Sequence, residues 1–352
     1  MKELHHSPKI LLPKWNGMAG SAMLEAKQWG LQTGRQATTA TPFALAQTWS
    51  IAVRIMLALI CVIAVTAETS GAERPKLILD TDSANEIDDM YAVVRILRQD
   101  RFEVLGLNST QWLHYLGDPN SVQASQEINE DLLRLLGRTD LKSHLGSEEP
   151  MGKPWGGDEP KDSDAARFII RHAKALPDGE RLHVVCLGAT TNLATAIKLA
   201  PEIAPRIRAY LMGFRYDVET GVWNKSEFNV RRDLNAADYL LNCEDLELHV
   251  MSATVSRVFT FDRDDTFRRH EAMGDLGRYL TAKWKARFAN SKTWVMWDLA
   301  LVEALIRPEL AHQIQVNTPP ENTRRKVWVY DSIQPQAMQN DYLKAAMTIQ
   351  LQ

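Results

Sequence analysis

Cysteine is scarce in this sequence, with only Cys61, Cys186 and Cys243 among 352 residues. That count excludes a disulfide scaffold, so the fold must rest on a hydrophobic core, which a chain of this length can build. A basic excess is also missing. Lys and Arg number 41 against 44 Asp and Glu, for a net charge of -3, which argues against nucleic acid as a partner and for a small-molecule ligand. There is no internal repeat, low-complexity tract or linker, so residues 74–352 read as one domain. Nor is any apolar run long enough to span a bilayer comfortably; the longest, Ile55–Ala67, has 13 residues and is interrupted only by Thr66.

That run follows Arg54, precedes polar Glu68 to Gly71, and ends in the small-residue site Val65-Thr66-Ala67. The pattern is that of a secretory signal peptide. Residues 1–67 are therefore expected to form an N-terminal extension that sends the protein to the periplasm or the medium. Met1 to Ser50 is too long for the basic segment of such a signal, so either the start is internal, at Met23 or Met56, or the run persists as a membrane tether. Bulky Ile60 before Cys61 argues against lipid attachment there. Cys186, within apolar Leu182 to Leu187, reads as a buried thiol.

What the sequence has in abundance is acid in one place. Asp80, Asp82, Glu86, Asp88 and Asp89 fall within ten residues, after the apolar run Lys76 to Leu79 and before a segment whose apolar positions Ile87, Met90, Tyr91, Val94 and Leu97 recur at helical spacing. This predicts a strand that delivers Asp80 and Asp82 to its carboxyl end, Asn85 as a helix cap, and Asp88 and Asp89 in the first helical turn. Capping and the helix dipole need one or two acids, and five exceed that need. So many like charges call for a cation. All the donors are oxygens with no Cys or His beside them, which favours calcium or magnesium over zinc.

From Lys76 onward strands and helices alternate. Strands are predicted at Phe102 to Asn108, Leu182 to Leu187, Arg206 to Met212, Leu246 to Ser252 and Lys326 to Tyr330, and helices at Ile87 to Gln99, Gln123 to Leu136, Ala165 to Ala175 (capped at Ser163) and Asn192 to Leu199. The segment between Ser252 and Lys326 reads as mostly helical. The expectation is an α/β fold, a mostly parallel open sheet flanked by helices, with ligands bound beyond the strand ends.

The acidic loop, the run Gly188-Ala-Thr-Thr191-Asn192-Leu-Ala, the triplet Glu227-Phe-Asn229 and the pair Trp297-Asp298, in that order, resemble the inosine-uridine-preferring nucleoside hydrolase superfamily. The likeness spans about Lys76 to Tyr342. It implies a parallel α/β sheet with a calcium ion at the strand ends, hydrolysis of an N-glycosidic bond by a metal-activated water, and a nucleoside or related riboside as substrate. On this resemblance Asp82, Asp89, the backbone carbonyl of Thr191 and Asp298 match the metal ligands, and Asp88 matches the general base. Glu227 and Asn229 match the pair that holds ribose hydroxyls, with Asn224 as a further contact. Asp80 matches the aspartate behind the site. The family often forms homo-oligomers, and nothing in the sequence marks an interface.

Two departures stand out. Five residues, Ser83 to Ile87, separate Asp82 from Asp88 where the family usually has three including Pro-Gly, and Trp297 stands where a histidine usually precedes the final aspartate. Indole nitrogen donates but does not titrate, so Trp297 cannot protonate a leaving base. Stacking on the base or packing in the core remain its two roles, and His114 is the candidate acid or substrate contact. Two other readings fit parts of the pattern: a calcium-dependent sugar- or nucleoside-binding protein without turnover, and a phosphatase with Asp80 as nucleophile. The phosphatase would need its second acidic pair far downstream, whereas here it follows within nine residues.

Overall fold

A computed structural model describes residues 73–114 and 117–347. The Ile55–Ala67 run lies outside them. The chain opens with β1 (Lys76–Thr81), α1 (Asp88–Leu97), β2 (Glu103–Ser109), α2 (Ser121–Leu135), β3 (Ser143–Leu145), α3 (Asp164–Ala175), β4 (Leu182–Cys186), α4 (Thr191–Leu199) and β5 (Ile207–Met212). A short hairpin, β6 (Arg215–Asp217) and β7 (Val222–Asn224), then leads to α5 (Phe228–Arg232), α6 (Leu234–Asn242) and β8 (Glu247–Met251). The last third holds α7 (Ala253–Ser256), β9 (Thr260–Asp262), α8 (Arg263–His270), α9 (Gly274–Arg287), β10 (Thr293–Val295), α10 (Trp297–Ile306), β11 (Ala311–Asn317), β12 (Lys326–Ile333) and α11 (Pro335–Met347).

Eight strands form one sheet in the order β11-β12-β8-β5-β4-β1-β2-β3, parallel except for β11, which runs antiparallel to β12. The chain winds from β1 outward through β2 to β3, then returns to lay β4 on the other side of β1. The order therefore reverses between β1 and β4, and a crevice opens beyond their carboxyl ends. Both sheet faces are covered. Along β1, Leu77 and Leu79 join one core while Ile78 joins the other, and along β4 Val185 and Val184 divide in the same way. This is why these strands read as unbroken apolar runs.

Helix α1 is buried along its whole length and packs on α10. Arg95 of α1 is neutralised in place by Glu303 of α10, Nε to Oε1 2.7 Å, and by Asp341 of α11. Ser163 caps α3 as expected, its hydroxyl accepting the Ala166 N–H at 3.2 Å. Cys186 is a buried free thiol. One expectation needs correction and one an addition. Asn85 does not cap α1: its N–H closes a turn on the Asp82 carbonyl at 2.7 Å, and the residue before the helix is Ile87. The segment expected to be mostly helical before Lys326 holds α7, α8, α9 and α10, but also edge strand β11 and the antiparallel pair β9–β10.

Candidate active site

The carboxyl end of β1 lays down the floor. Asp80 is fully buried, and its Oδ1 accepts from Asn192 Nδ2 at 3.0 Å; Asn192 also donates to the Ser109 carbonyl, pinning the start of α4 to β1 and β2. Burial pushes the Asp80 carboxyl up to about 7, against the pull of Asn192. A relay then fixes Asp89. Ser83 Oγ donates to Asn129 Oδ1 at 2.6 Å, while Thr81 Oγ1 donates to Asp89 Oδ1 at 2.5 Å and the Asp82 N–H adds a contact to the same oxygen at 3.2 Å. One oxygen of Asp89 is thus held by the protein. From the far side, the backbone N–H of Asp298, in the first turn of α10, donates to Asp88 Oδ2 at 3.0 Å.

Asp88, Asp89 and Asp298 bring carboxylate oxygens within 4.8 Å of one another. Asp82 Oδ2 and Asp88 Oδ1 are buried without a hydrogen-bond partner among the described residues. Burial, reinforced by the neighbouring Asp89 and Asp88 carboxylates, drives Asp82 well above the usual carboxylate range. Burial and Asp89 lift Asp88 to about 7; burial lifts Asp89 to about 6 against the Thr81 bond. Asp298 is likewise driven well up by burial and then by Asp89. Such a cluster asks for a cation, and all its donors are oxygen. The residues therefore fit a hard metal ion.

Close packing brings β4 to the same floor. A Cβ on Gly188 would lie 2.6 Å from Asp82 Oδ1 and 2.7 Å from Thr110 Cγ2, so a side chain there would displace the carboxylate. The wall comes from α5. Glu227 caps it, Oε2 accepting the Val230 N–H at 3.1 Å, and Asn229 Nδ2 donates to the carbonyls of Leu187 and Met212 at the ends of β4 and β5. Burial raises Glu227, opposed mainly by backbone N–H groups of α5.

A half-open cavity of about 140 Å³ is lined by Asp82, Asp88, Asp89 and Asp298 on its floor, by Glu227, Phe228 and Asn229, and by Trp297. Three other expected residues lie off that lining. Thr191, the first residue of α4, is buried; its hydroxyl donates to Asp233 Oδ2 at 2.6 Å and accepts from Gln111 Nε2. His114 is half-buried with its ring 6.2 Å from that of Phe228. Asn224 is exposed on β7, its Oδ1 accepting the Ser226 N–H at 2.7 Å. Trp297 lines the cavity and packs partly on the core, as the core-packing expectation had it.

Arg215 also lines the cavity, with Asn85 and Glu86 from the lengthened loop. The sequence reading did not place Arg215 or Asn85 there. The signal for Asn85 was the loop's extra length; for Arg215 it was position, three residues beyond the carboxyl end of β5.

A model of the family described as inosine-uridine preferring nucleoside hydrolase matches residues 77–348. The chain belongs to that family. This nucleoside hydrolase is 28% identical over 236 residues to probable uridine nucleosidase 2 of Arabidopsis thaliana, covering 59% of this chain and 68% of that one. To probable uridine nucleosidase 1 of Oryza sativa subsp. japonica it is 25% identical over 263 residues, 67% of this chain and 78% of that one. Its fold matches a solved inosine-guanosine nucleoside hydrolase with a TM-score of 0.62 at 17% identity, covering 78% of this chain and all, 100%, of the other. The nucleoside hydrolase is therefore an enzyme that hydrolyses N-glycosidic bonds of small nucleosides. Membership sets aside the phosphatase reading of Asp80, which sits behind the cavity on Asn192 and not among its lining residues.

Proposed function

We propose that this nucleoside hydrolase cleaves ribonucleosides with a calcium ion at the floor of its pocket. The observation that carries the reading is the approach of Asp88, Asp89 and Asp298 to within 4.8 Å, beneath a wall that bears Glu227 and Asn229. Calcium takes six to eight oxygens, and Asp82, Asp89, Asp298 and the Thr191 carbonyl are the protein's share in this reading. When bound, the ion would neutralise the cluster and make a water in its shell a better acid.

The chain's own groups do the rest. Asp88 is anchored through Oδ2 by the Asp298 N–H, while Oδ1 is unpartnered and can accept the proton of the attacking water. Asn229 has committed its amide N–H groups to two backbone carbonyls, so Oδ1 is the atom left to receive a ribose hydroxyl. Glu227, tied through Oε2, offers Oε1 in the same way. Both hold the sugar in line with the water. As the bond to the base breaks, positive charge on the ribose is stabilised by the carboxylates around it. Trp297 suits stacking against a flat base. His114, packed near Phe228, is the proposed contributor of a proton on the base side. The Ile55–Ala67 run is proposed to export the enzyme.

The test is ribose release from purine and pyrimidine nucleosides, uridine and inosine included, with calcium and with chelator, by wild type, Asp88→Ala and His114→Ala. Chelator-sensitive turnover lost in Asp88→Ala is the expected result. Calcium binding without turnover on any nucleoside would replace the hydrolase reading with that of a binding protein.

A further inference from the structure

Six carboxylates line the catalytic cavity, Asp82, Glu86, Asp88, Asp89, Glu227 and Asp298, and among the lining residues there is one cation, Arg215. A neutral nucleoside gives that cation nothing to pair with. Nor is Arg215 occupied by the protein. Among the described residues its guanidinium, exposed at the rim, forms no ion pair or hydrogen bond, and its one resolved electrostatic effect is to pull down the carboxyl of Glu227, the residue assigned to the ribose.

Its backbone is held firmly. The hairpin β6–β7 pairs Arg215 with Asn224 and Tyr216 with Trp223. Alternation along the strands puts each pair on one face. The Tyr216–Trp223 pair faces the protein: Phe214 and Tyr216 are buried, their rings lie 5.5 Å and 4.8 Å from that of Trp223, and Trp223 Nε1 donates to the Asn317 carbonyl at 2.9 Å. Phe214 is also the one non-glycine residue with positive φ among those described, 61°, a strained turn that sets the hairpin's direction as it leaves β5. The opposite face carries the Arg215 guanidinium to the cavity. Across the ladder stands the Asn224 amide, whose Oδ1 is used by Ser226 and whose N–H groups are left to donate. Five guanidinium N–H donors and an amide on one rim describe a site for a phosphate.

We propose that Arg215, aided by Asn224, is an anion subsite at the cavity mouth, and that the preferred substrates are ribosides phosphorylated on the sugar, ribonucleoside 5′-monophosphates. This rests on the proposed hydrolysis at the same cavity. Chemistry at C1′ must take place over the acidic floor, and the substituent on C4′ lies across the ring from C1′. A 5′-phosphate therefore extends from the sugar end, past Glu227, and not from the base end at Trp297.

Two measurements test it. The first is kcat/KM for uridine and inosine against their 5′-monophosphates, in wild type, Arg215→Ala and Arg215→Lys. The second, independent of turnover, is calorimetric binding of ribose 5-phosphate against ribose by the same proteins. The expected result is a preference of tenfold or more for the phosphorylated member of each pair, collapsing toward one in Arg215→Ala and partly kept in Arg215→Lys. Turnover of nucleosides with no phosphate preference in either measurement would overturn the subsite and leave the hydrolase standing. Arg215-dependent binding of ribose 5-phosphate with no turnover of any substrate would do the reverse.

Discussion

The backbone N–H of Asp298 donates to Asp88 Oδ2 at 3.0 Å, joining residues 210 apart in the chain. The bond clamps the N-terminus of α10 to that of α1, and with Asp89 beside them it assembles the acidic floor from two distant segments. It also divides the work of one carboxylate, since one oxygen positions Asp298 and the other faces the cavity. Asp88→Asn keeps an acceptor for the Asp298 N–H but cannot take up a proton. Its kcat is expected to fall by about a hundred- to ten-thousand-fold, with calcium affinity changed far less. Asp298→Ala, which deletes a proposed ligand, is expected to lose both. Turnover assays beside calcium calorimetry separate the two, and equal loss of calcium in both variants would show that Asp88 acts as a ligand and not as a base.

Gly188 is the second lever on the floor. A methyl group there would meet Asp82 Oδ1 at 2.6 Å, a contact that neither the carboxylate nor the strand end can absorb without moving. Gly188→Ala is expected to weaken calcium binding by about ten- to a hundred-fold, as loss of a ligand's support typically does. Unchanged affinity by calorimetry would mean that Asp82 is not a ligand.

Metal removal should register in stability as well as in activity. Calcium that binds only the folded chain at a hundred times its Kd adds about 2.7 kcal/mol. For a domain of this size that is roughly 5–10 °C in Tm. A thermal melt with chelator, then with calcium restored, checks this, and the shift should shrink in Asp89→Ala.

Much of this was legible in the residues. Strands buried on both faces must be apolar throughout, so β1, β2, β4 and β5 announced themselves, and the density of acid after β1 announced a cation. What escaped detection has physical causes. Edge strand β11 alternates polar and apolar residues and is half exposed, so it carries no core signal. Asn85 has the chemistry of a cap, but a turn on the Asp82 carbonyl competed for it and won. Arg215 sits in a three-residue strand whose direction depends on Phe214 at φ 61°, and nothing in an Arg-Tyr-Asp sequence reports where such a hairpin points. Asp233, which orders Thr191, Met151 and Ala236 through its two oxygens, lies 42 residues from Thr191 and reads as an ordinary surface acid.

The buried pair of Arg95 and Glu303 makes a stability prediction far from the pocket. Glu303 is fully buried, its Oε2 has no partner among the described residues, and burial raises its carboxyl to about 7 even with Arg95 opposing. Arg95→Leu would strand that carboxyl, at a cost of about 3–5 kcal/mol. The double variant Arg95→Leu/Glu303→Leu should regain most of the loss, because Asp341 keeps Arg307 at 2.7 Å. Urea unfolding of the two variants decides it, and a double variant no more stable than the single one would contradict this account.

Acid should unfold the protein partly through two histidines held neutral in the interior. Burial pushes His183 down to about 4, with Arg208 adding to the effect, and burial alone does the same to His270. His183 Nδ1 and His270 Nε2 have no hydrogen-bond partner among the described residues, so a proton there would gain nothing in the folded state. Above about pH 6.5 both are neutral whether the chain is folded or not, and they cost no stability. As the pH falls from about 6.5 to about 4 the unfolded chain takes up protons that the folded one refuses, and each histidine costs on the order of 1–3 kcal/mol. The acidic floor works in the opposite direction, since its raised carboxylates bind protons more readily in the folded state. The quantity to measure is therefore the difference in unfolding free energy between wild type and His270→Phe, or His183→Phe, from pH 8 to pH 4, which cancels the carboxylates. That difference should move in favour of the variant as the pH falls below about 6.5; a flat difference would mean that the histidine takes up its proton as readily in the folded chain as in the unfolded one.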